Sequence, residues 1–165
     1  ILCNDKVGNI YKSRFGYEIL NDRDSFIIKK RNALKKHDDV EISIGEKFQF
    51  FDYEYVFKES KLNNNLSSNP NIEFIDQSKI KDKKLRLRLW KNGDCFRPLG
   101  MSGKQKISDY LINNKINQFE KSKQTVLLAD DKIIWLCGHR IDERVKISNT
   151  TKKVLSISRF ERTSL

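Results

Sequence analysis

The chain has 165 residues, 38% of them hydrophobic and 33% charged, with a net charge of +11. This length holds one ordinary domain or two small ones, with a core beneath a heavily charged surface. No apolar run approaches the roughly 18 residues of a membrane span and the first residues lack the layout of a signal peptide, so no membrane association and a cytoplasmic location are expected.

In chain order, Tyr17–Ile28 has two apolar runs around a polar turn at Asn21–Ser25. Over Glu41–Phe57, apolar residues recur at period two (Ile42, Ile44; Phe48, Phe50; Tyr53, Tyr55, Phe57), which predicts half-buried strands. The one-residue shift at Phe50-Phe51 marks a bulge or a second turn. Leu62–Asn71 (LNNNLSSNPN) reads as a linker. It divides the chain into a strand-rich connecting region, 1–70, and a basic C-terminal domain, 71–165.

Beyond the linker, Asn71–Ile75 is a short predicted strand. Lys83–Trp90 alternates strictly, with Leu85, Leu87 and Leu89 on one face and Arg86, Arg88 and Trp90 on the other. Asn92-Gly93 signals a turn. A Gly/Pro loop, Phe96–Lys106, precedes a helix predicted over Ile107–Asn113. Thr125–Ala129 and Lys132–Cys137 form a predicted hairpin about Asp130-Asp131, and Val145–Ile147 and Val154–Phe160 are predicted final strands. The expected fold class is α+β, a strand-dominated sandwich with a few short helices.

Charge is unevenly spread. Residues 1–78 hold 12 Lys/Arg against 13 Asp/Glu, whereas residues 79–165 hold 21 against 9. Such one-sided basicity favours a polyanionic partner. Arg86, Arg88 and Trp90 recur at steps of about 6.6 Å along one face, near the spacing of successive phosphates, and Trp90 offers a ring for stacking. The loop Arg97–Lys106 has Gly100 and Gly103 to free backbone amides for an anion, with Lys104 and Lys106 at the start of the following helix. Lys91 and Arg140 complete the expected RNA contacts. Asp94 is expected to close the turn after Gly93, and Ser108-Asp109 to cap the helix.

Catalytic and metal chemistry find little support. The chain lacks a G-x-S-x-G or Walker loop, its only histidines are His37 and His139, and it has no C-x-x-C pair. Cys3, Cys95 and Cys137 are few, far apart and odd in number, so reduced thiols are expected. Gly100-Met101-Ser102-Gly103 matches the GXXG loop of KH domains, although no helix is predicted before it. A KH-like nucleic-acid-binding module is therefore an alternative. So is an interaction or homodimerisation domain using Phe48, Phe50, Phe51 and Tyr53.

Leu87–Asn113 reads LRLWKNGDCFRPLGMSGKQKISDYLIN. It resembles the C-terminal domain of the bacterial tRNA(Ile)-lysidine synthetase family. The matching positions are Arg88, Gly93-Asp94, Phe96, Pro98, Gly100, Lys104, Lys106 and Ser108-Asp109. Ile133–Arg144, with Gly138, is similar to a later strand and turn of that family, and Gly8–Ile28 is similar to the segment leading into the domain. The chain departs from the pattern at Cys95, Asn117 and Lys121. The resemblance implies a tRNA(Ile)-binding region that grips the acceptor stem, within a sandwich fold shared with phenylalanyl-tRNA synthetase β chains. It implies a parent ligase that uses ATP and lysine to convert the wobble cytidine to lysidine. ATP and Mg would then belong to a PP-loop domain whose S-G-G-x-D-S signature this sequence lacks. The start at Ile1, not Met, reads as a piece of that longer protein, without catalytic residues or a cofactor of its own.

Overall fold

The computed structural model describes residues 6–31, 39–61 and 69–162. Most of the predicted linker, together with Cys3 and His37, lies outside the described residues. Strands β1 (Ile10–Lys12), β2 (Tyr17–Asp22) and β3 (Ser25–Lys30) form a three-stranded antiparallel sheet. Next come β4 (Val40–Ile42), β5 (Lys47–Phe50), β6 (Tyr53–Ser60) and β7 (Ile72–Asp76). The shift at Phe50-Phe51 is a second turn: β5 and β6 pair from Phe50↔Tyr53, and Phe51 takes a left-handed φ of 52°. Further on are β8 (Leu85–Leu89), β9 (Cys95–Phe96), β10 (Gln105–Lys106), α1 (Ile107–Asn113), α2 (Gln118–Lys121), β11 (Thr125–Ala129), β12 (Lys132–Leu136), β13 (Arg140–Ile141) and β14 (Val154–Glu161).

A five-stranded sheet, in the order β13-β12-β11-β8-β4, faces a four-stranded sheet, in the order β5-β6-β14-β7. Leu85, Leu87, Leu127 and Ile134 of the first meet Phe50, Tyr55, Phe57, Ile75, Leu155 and Ile157 of the second in one apolar cluster. The sandwich is thus built as the period-two patterns require. A second cluster covers the other face of the five-stranded sheet, where Phe96, Ile107 and Leu111 pack on Val126, Leu128, Ile133 and Leu136. β11 is buried on both faces, which explains its unbroken apolar run.

One register shift distributes β12 between the two clusters. Leu127 pairs with Trp135 but Leu128 pairs with Ile133, leaving Ile134 as an extra residue. Strict alternation is broken there, so Ile134 and Trp135 both join the sandwich core while Ile133 and Leu136 join the outer cluster.

Three expectations are corrected. The expected boundary at residue 70 does not separate two cores: β4 pairs with β8, and β6 pairs with β14, because the sandwich needs strands from both sides of the linker. Glu143–Val145 is a 3-10 turn rather than the start of a strand, since the Asp142 carboxylate accepts from the Arg144 amide and curls the chain. Phe48, Phe50, Phe51 and Tyr53 do not form an interface patch; Phe50 lies in the core and the other three pack against it.

Candidate nucleic-acid interface

The alternation of β8 places Arg86, Arg88 and Trp90 on one face, but that face is not an open one. Arg86 pairs across the sheet with Leu128 and Arg88 with Val126, on the side covered by α1 and β9. Arg88 is held there by Asp94 through two parallel hydrogen bonds, Nη1 to Oδ2 at 2.7 Å and Nη2 to Oδ1 at 2.9 Å. The two side chains are only 12% and 14% exposed, so this bidentate pair is largely desolvated. Arg86 donates to Asp131 at 3.0 Å, with Asp39 at 3.7 Å. Trp90 turns inward, its Nε1 donating to the Lys121 carbonyl at 2.6 Å while its ring packs on the outer cluster. The solvated arginine face with an open stacking ring is therefore corrected. Period two says which side chains share a face, not what covers it.

Asp94 closes the turn as expected. Its carboxylate accepts from the Lys91 amide at 2.7 Å, across a turn whose Gly93 has φ 90°. Burial acts to raise the Asp94 pKa, but the Arg88 hydrogen bonds and the Lys91 amide outweigh it and hold the carboxyl below its usual range.

The Gly/Pro loop is the tip of a ribbon formed by β9 and β10, in which Phe96 pairs with Gln105. A strand, not a helix, precedes it, which removes support for the KH-like reading. The expected amide cradle is also corrected. Gly100 has the left-handed φ of 87°, but its N–H donates to Glu143 Oε2 at 2.8 Å, so a carboxylate already occupies it. Pro98 bridges to Asp142 and Leu99 N–H donates to the Ile141 carbonyl, tying the ribbon to the segment after β13. The α1 helix begins at Ile107, as predicted. Its N-cap is Lys106, without a side-chain cap, and the Ile107 amide donates to the Asp94 carbonyl. Ser108 and Asp109 lie inside the first turn and bond each other at 3.1 Å, so neither is the cap.

A second clasp faces the first. Asp142 is fully buried and accepts from the Arg97 amide at 2.8 Å and the Arg144 amide at 3.0 Å. It also accepts from Arg144 Nε at 2.7 Å and Nη2 at 2.9 Å. Burial opposes ionisation, but these bonds, Arg144 foremost, hold its pKa low.

Between the clasps lies a cleft lined by Arg88, Arg97, Lys104, Lys132 and Arg144, with Asp94 and Asp131. The structure thus gathers three of the expected contacts, Arg88, Arg97 and Lys104, in one place. It adds Lys132 and Arg144, which sequence reasoning missed. The excess of basic residues over 79–165 was the available signal for them, but it did not single them out. Lys104 and Lys132 are exposed and, among the described residues, take part in no ion pair. Lys91 and Lys106 are exposed near the cleft without lining it.

Arg140 stands apart, in a separate hollow with Glu73, His139 and Lys146. There burial pushes the Glu73 carboxyl up to about 7, with Arg140 pulling the other way. His139 Nε2 donates to Gln124 Oε1 at 3.1 Å, and the imidazole pKa is pushed down to about 4, first by burial and then by Arg159. Gly138 has φ 76°, and a Cβ there would strike the Arg159 guanidinium, which also lies 4.4 Å from the centroid of the Tyr53 ring. Glycine at 138 is therefore a packing requirement. Phe96, fully buried, meets Tyr110 edge to face at 5.5 Å. No group of three or more His, Cys, Asp or Glu among the described residues could hold a metal ion.

Residues 85–158 match the family model described as the TilS substrate C-terminal domain. The tRNA(Ile)-lysidine synthase of Parabacteroides distasonis is 40% identical over 93 residues, 56% of this chain and 21% of that protein. The enzyme of the same name from Bacteroides thetaiotaomicron is 44% identical over 81 residues, 49% of this chain and 19% of the relative. That of Clostridium perfringens is 35% identical over 106 residues, 64% and 22% respectively. The matched stretch thus spans about a fifth of these relatives' length. The fold is that of a solved TILS C-terminal domain, at a TM-score of 0.68 and 16% identity, covering 77% of this chain and 98% of that one. Residues 85–158 thus match the TilS substrate C-terminal domain, and the aligned stretches are similar to about a fifth of the length of tRNA(Ile)-lysidine synthases.

Proposed function

We propose that this chain is the tRNA-recognition region of a bacterial, cytoplasmic tRNA(Ile)-lysidine synthase, and that its cleft grips the acceptor stem of tRNA(Ile). The parent enzyme would use ATP and lysine to convert the wobble cytidine to lysidine. The observation that carries this reading is the cleft itself, in which Lys104 and Lys132 are exposed and, among the described residues, form no ion pair, on a domain that matches the TilS substrate C-terminal model. Arg88 and Arg144 are neutralised by Asp94 and Asp142 and build the walls; Arg97, Lys104 and Lys132, with Lys106 and Lys91 beside them, meet phosphates.

We place the reaction's ATP and Mg outside this chain, a reading that the strand pairings support. Every strand pairing among the described residues is antiparallel, so no glycine-rich loop follows a parallel strand to cradle a triphosphate. We assign both to a catalytic domain elsewhere in the parent protein. No helix among the described residues is long and apolar enough to cross a membrane.

The test is titration of tRNA(Ile), and of an acceptor-stem duplex, with the chain and with a variant carrying Lys104→Glu and Lys106→Glu. The variant is expected to bind both about tenfold or more weakly, with a salt slope lower by about two. Unchanged affinity and slope would remove the loop from the interface.

A further inference from the structure

The β1–β3 sheet has one face turned to the body of the protein. Leu20 is fully buried, the Lys29 ammonium lies 3.9 Å from the centroid of the Phe119 ring, and Arg23 Nη1 donates to the Lys115 carbonyl at 3.0 Å. The register pairs Tyr17 with Lys30, Ile19 with Ile28 and Asn21 with Phe26, so these residues alternate onto the opposite face. That face exposes rings and apolar groups: Tyr17 is 44% exposed, Phe26 49% and Ile28 64%, and Phe15, in the turn before β2, is 88% exposed, while Tyr11, Ile19 and Asn21 on the same face are half-buried.

Its charges are one-sided. The acids of β2, Glu18 and Asp22, alternate onto the inner face, where they pair with Lys29 and Arg23. The outer face carries Lys30, with exposed Arg14 and Arg31 at its rim and Asp24 in the far turn. A second copy packed face to face would oppose cation to cation. A polyanion bearing flat apolar rings would satisfy both the aromatic surface and the cations.

We propose that this face is a stacking platform for single-stranded RNA, receiving unpaired bases that adjoin a duplex held in the basic cleft. The proposal rests on the tRNA reading above. Tyr17 and Phe26 lie on neighbouring strands, about four residues or 13 Å apart along the sheet, which leaves room for more than one base. Ile19 and Ile28 floor the space between them, and Lys30 meets the backbone beside Tyr17. The binding is sequence-tolerant, because any base offers a π face.

The experiment compares two RNA hairpins, one blunt and one with a single-stranded 3′ extension of about four nucleotides carrying a 2-aminopurine. The unaltered chain is expected to bind the extended hairpin about tenfold more tightly and to quench the 2-aminopurine. Replacing both rings (Tyr17→Ala with Phe26→Ala) should abolish the gain and the quenching while leaving the blunt hairpin's affinity unchanged. Tyr17→Phe with Phe26→Tyr should keep both, and equal denaturation midpoints for the two variants would show that ring loss, not unfolding, is read. Equal binding of the two hairpins, or a gain that survives the alanine pair, overturns the platform while leaving the cleft standing. A dimer in solution that the alanine pair dissociates also overturns it, since a second copy then covers the face. Failure of both hairpins to bind sinks the tRNA reading and the platform together.

Discussion

Arg88 and Arg144 line the same cleft as Lys104 and Lys132, yet the two pairs differ in what holds them. Each arginine is clasped by an aspartate through several short hydrogen bonds, and each lysine has no ion-pair partner among the described residues. The arginine clasps fix backbone: Asp94 also holds the Lys91 amide, and Asp142 holds those of Arg97 and Arg144. The lysines fix nothing and remain available to an anion. Density of positive charge therefore overstates the binding surface, and the carboxylates within reach decide which cations are spare.

The sharpest way to break this distinction is Asp94→Ala, which strands Arg88 as an uncompensated, mostly buried charge. We expect a loss of about 3–5 kcal/mol in chemical denaturation; a variant as stable as the parent would show the clasp to be ornamental. Asp142→Ala should follow at about 2–4 kcal/mol, because it leaves two backbone amides without their acceptor. Both carboxyls have depressed pKa values in the folded state. Their contribution is therefore complete above the unfolded aspartate pKa of about 3.9 and is lost as pH falls through the lower folded values. Acid denaturation followed by circular dichroism should accordingly begin only below about pH 4, and Asp142→Asn should flatten it.

Lys132→Glu probes the other side of the comparison. Stability should change by less than about 0.5 kcal/mol, while tRNA affinity falls about tenfold and the salt slope by about one. A stability loss with unchanged binding would place Lys132 among the structural cations. The smallest effect concerns Glu73, whose folded pKa of about 7 lies above its unfolded value. Its folded state keeps a proton that the unfolded state releases, so stability declines between about pH 4 and 7. Glu73→Gln should gain up to about 1 kcal/mol at pH 8 and little at pH 4; an equal effect at both would assign the change to packing.

The strand patterns were legible because alternation is local: β2, β3, β5, β6, β8, β11, β12, β14 and the α1 helix follow from neighbouring residues. The role of the β8 arginines was not, since the layer on their face comes from β9 and α1 and leaves no mark on β8 itself. The four-residue α2 helix is too short for a periodic signal. The extra residue at Ile134 mimics a plain apolar run. Gly138 was readable, but its reason, the Arg159 guanidinium lying across it, joins the turn between β12 and β13 to a strand of the other sheet. Within the site, Asp94 was assigned its turn correctly, whereas its grip on Arg88 depends on how β8 meets the ribbon.

β14 is the last described strand in chain order but sits between β6 and β7 in space, pairing with both. During synthesis from the N-terminus, β6 and β7 emerge with their facing edges bare, and neither can serve as the other's neighbour. The sandwich can close only once residues 154–161 leave the ribosome. A ribosome stalled before that point would display two open strand edges to chaperones and to neighbouring nascent chains.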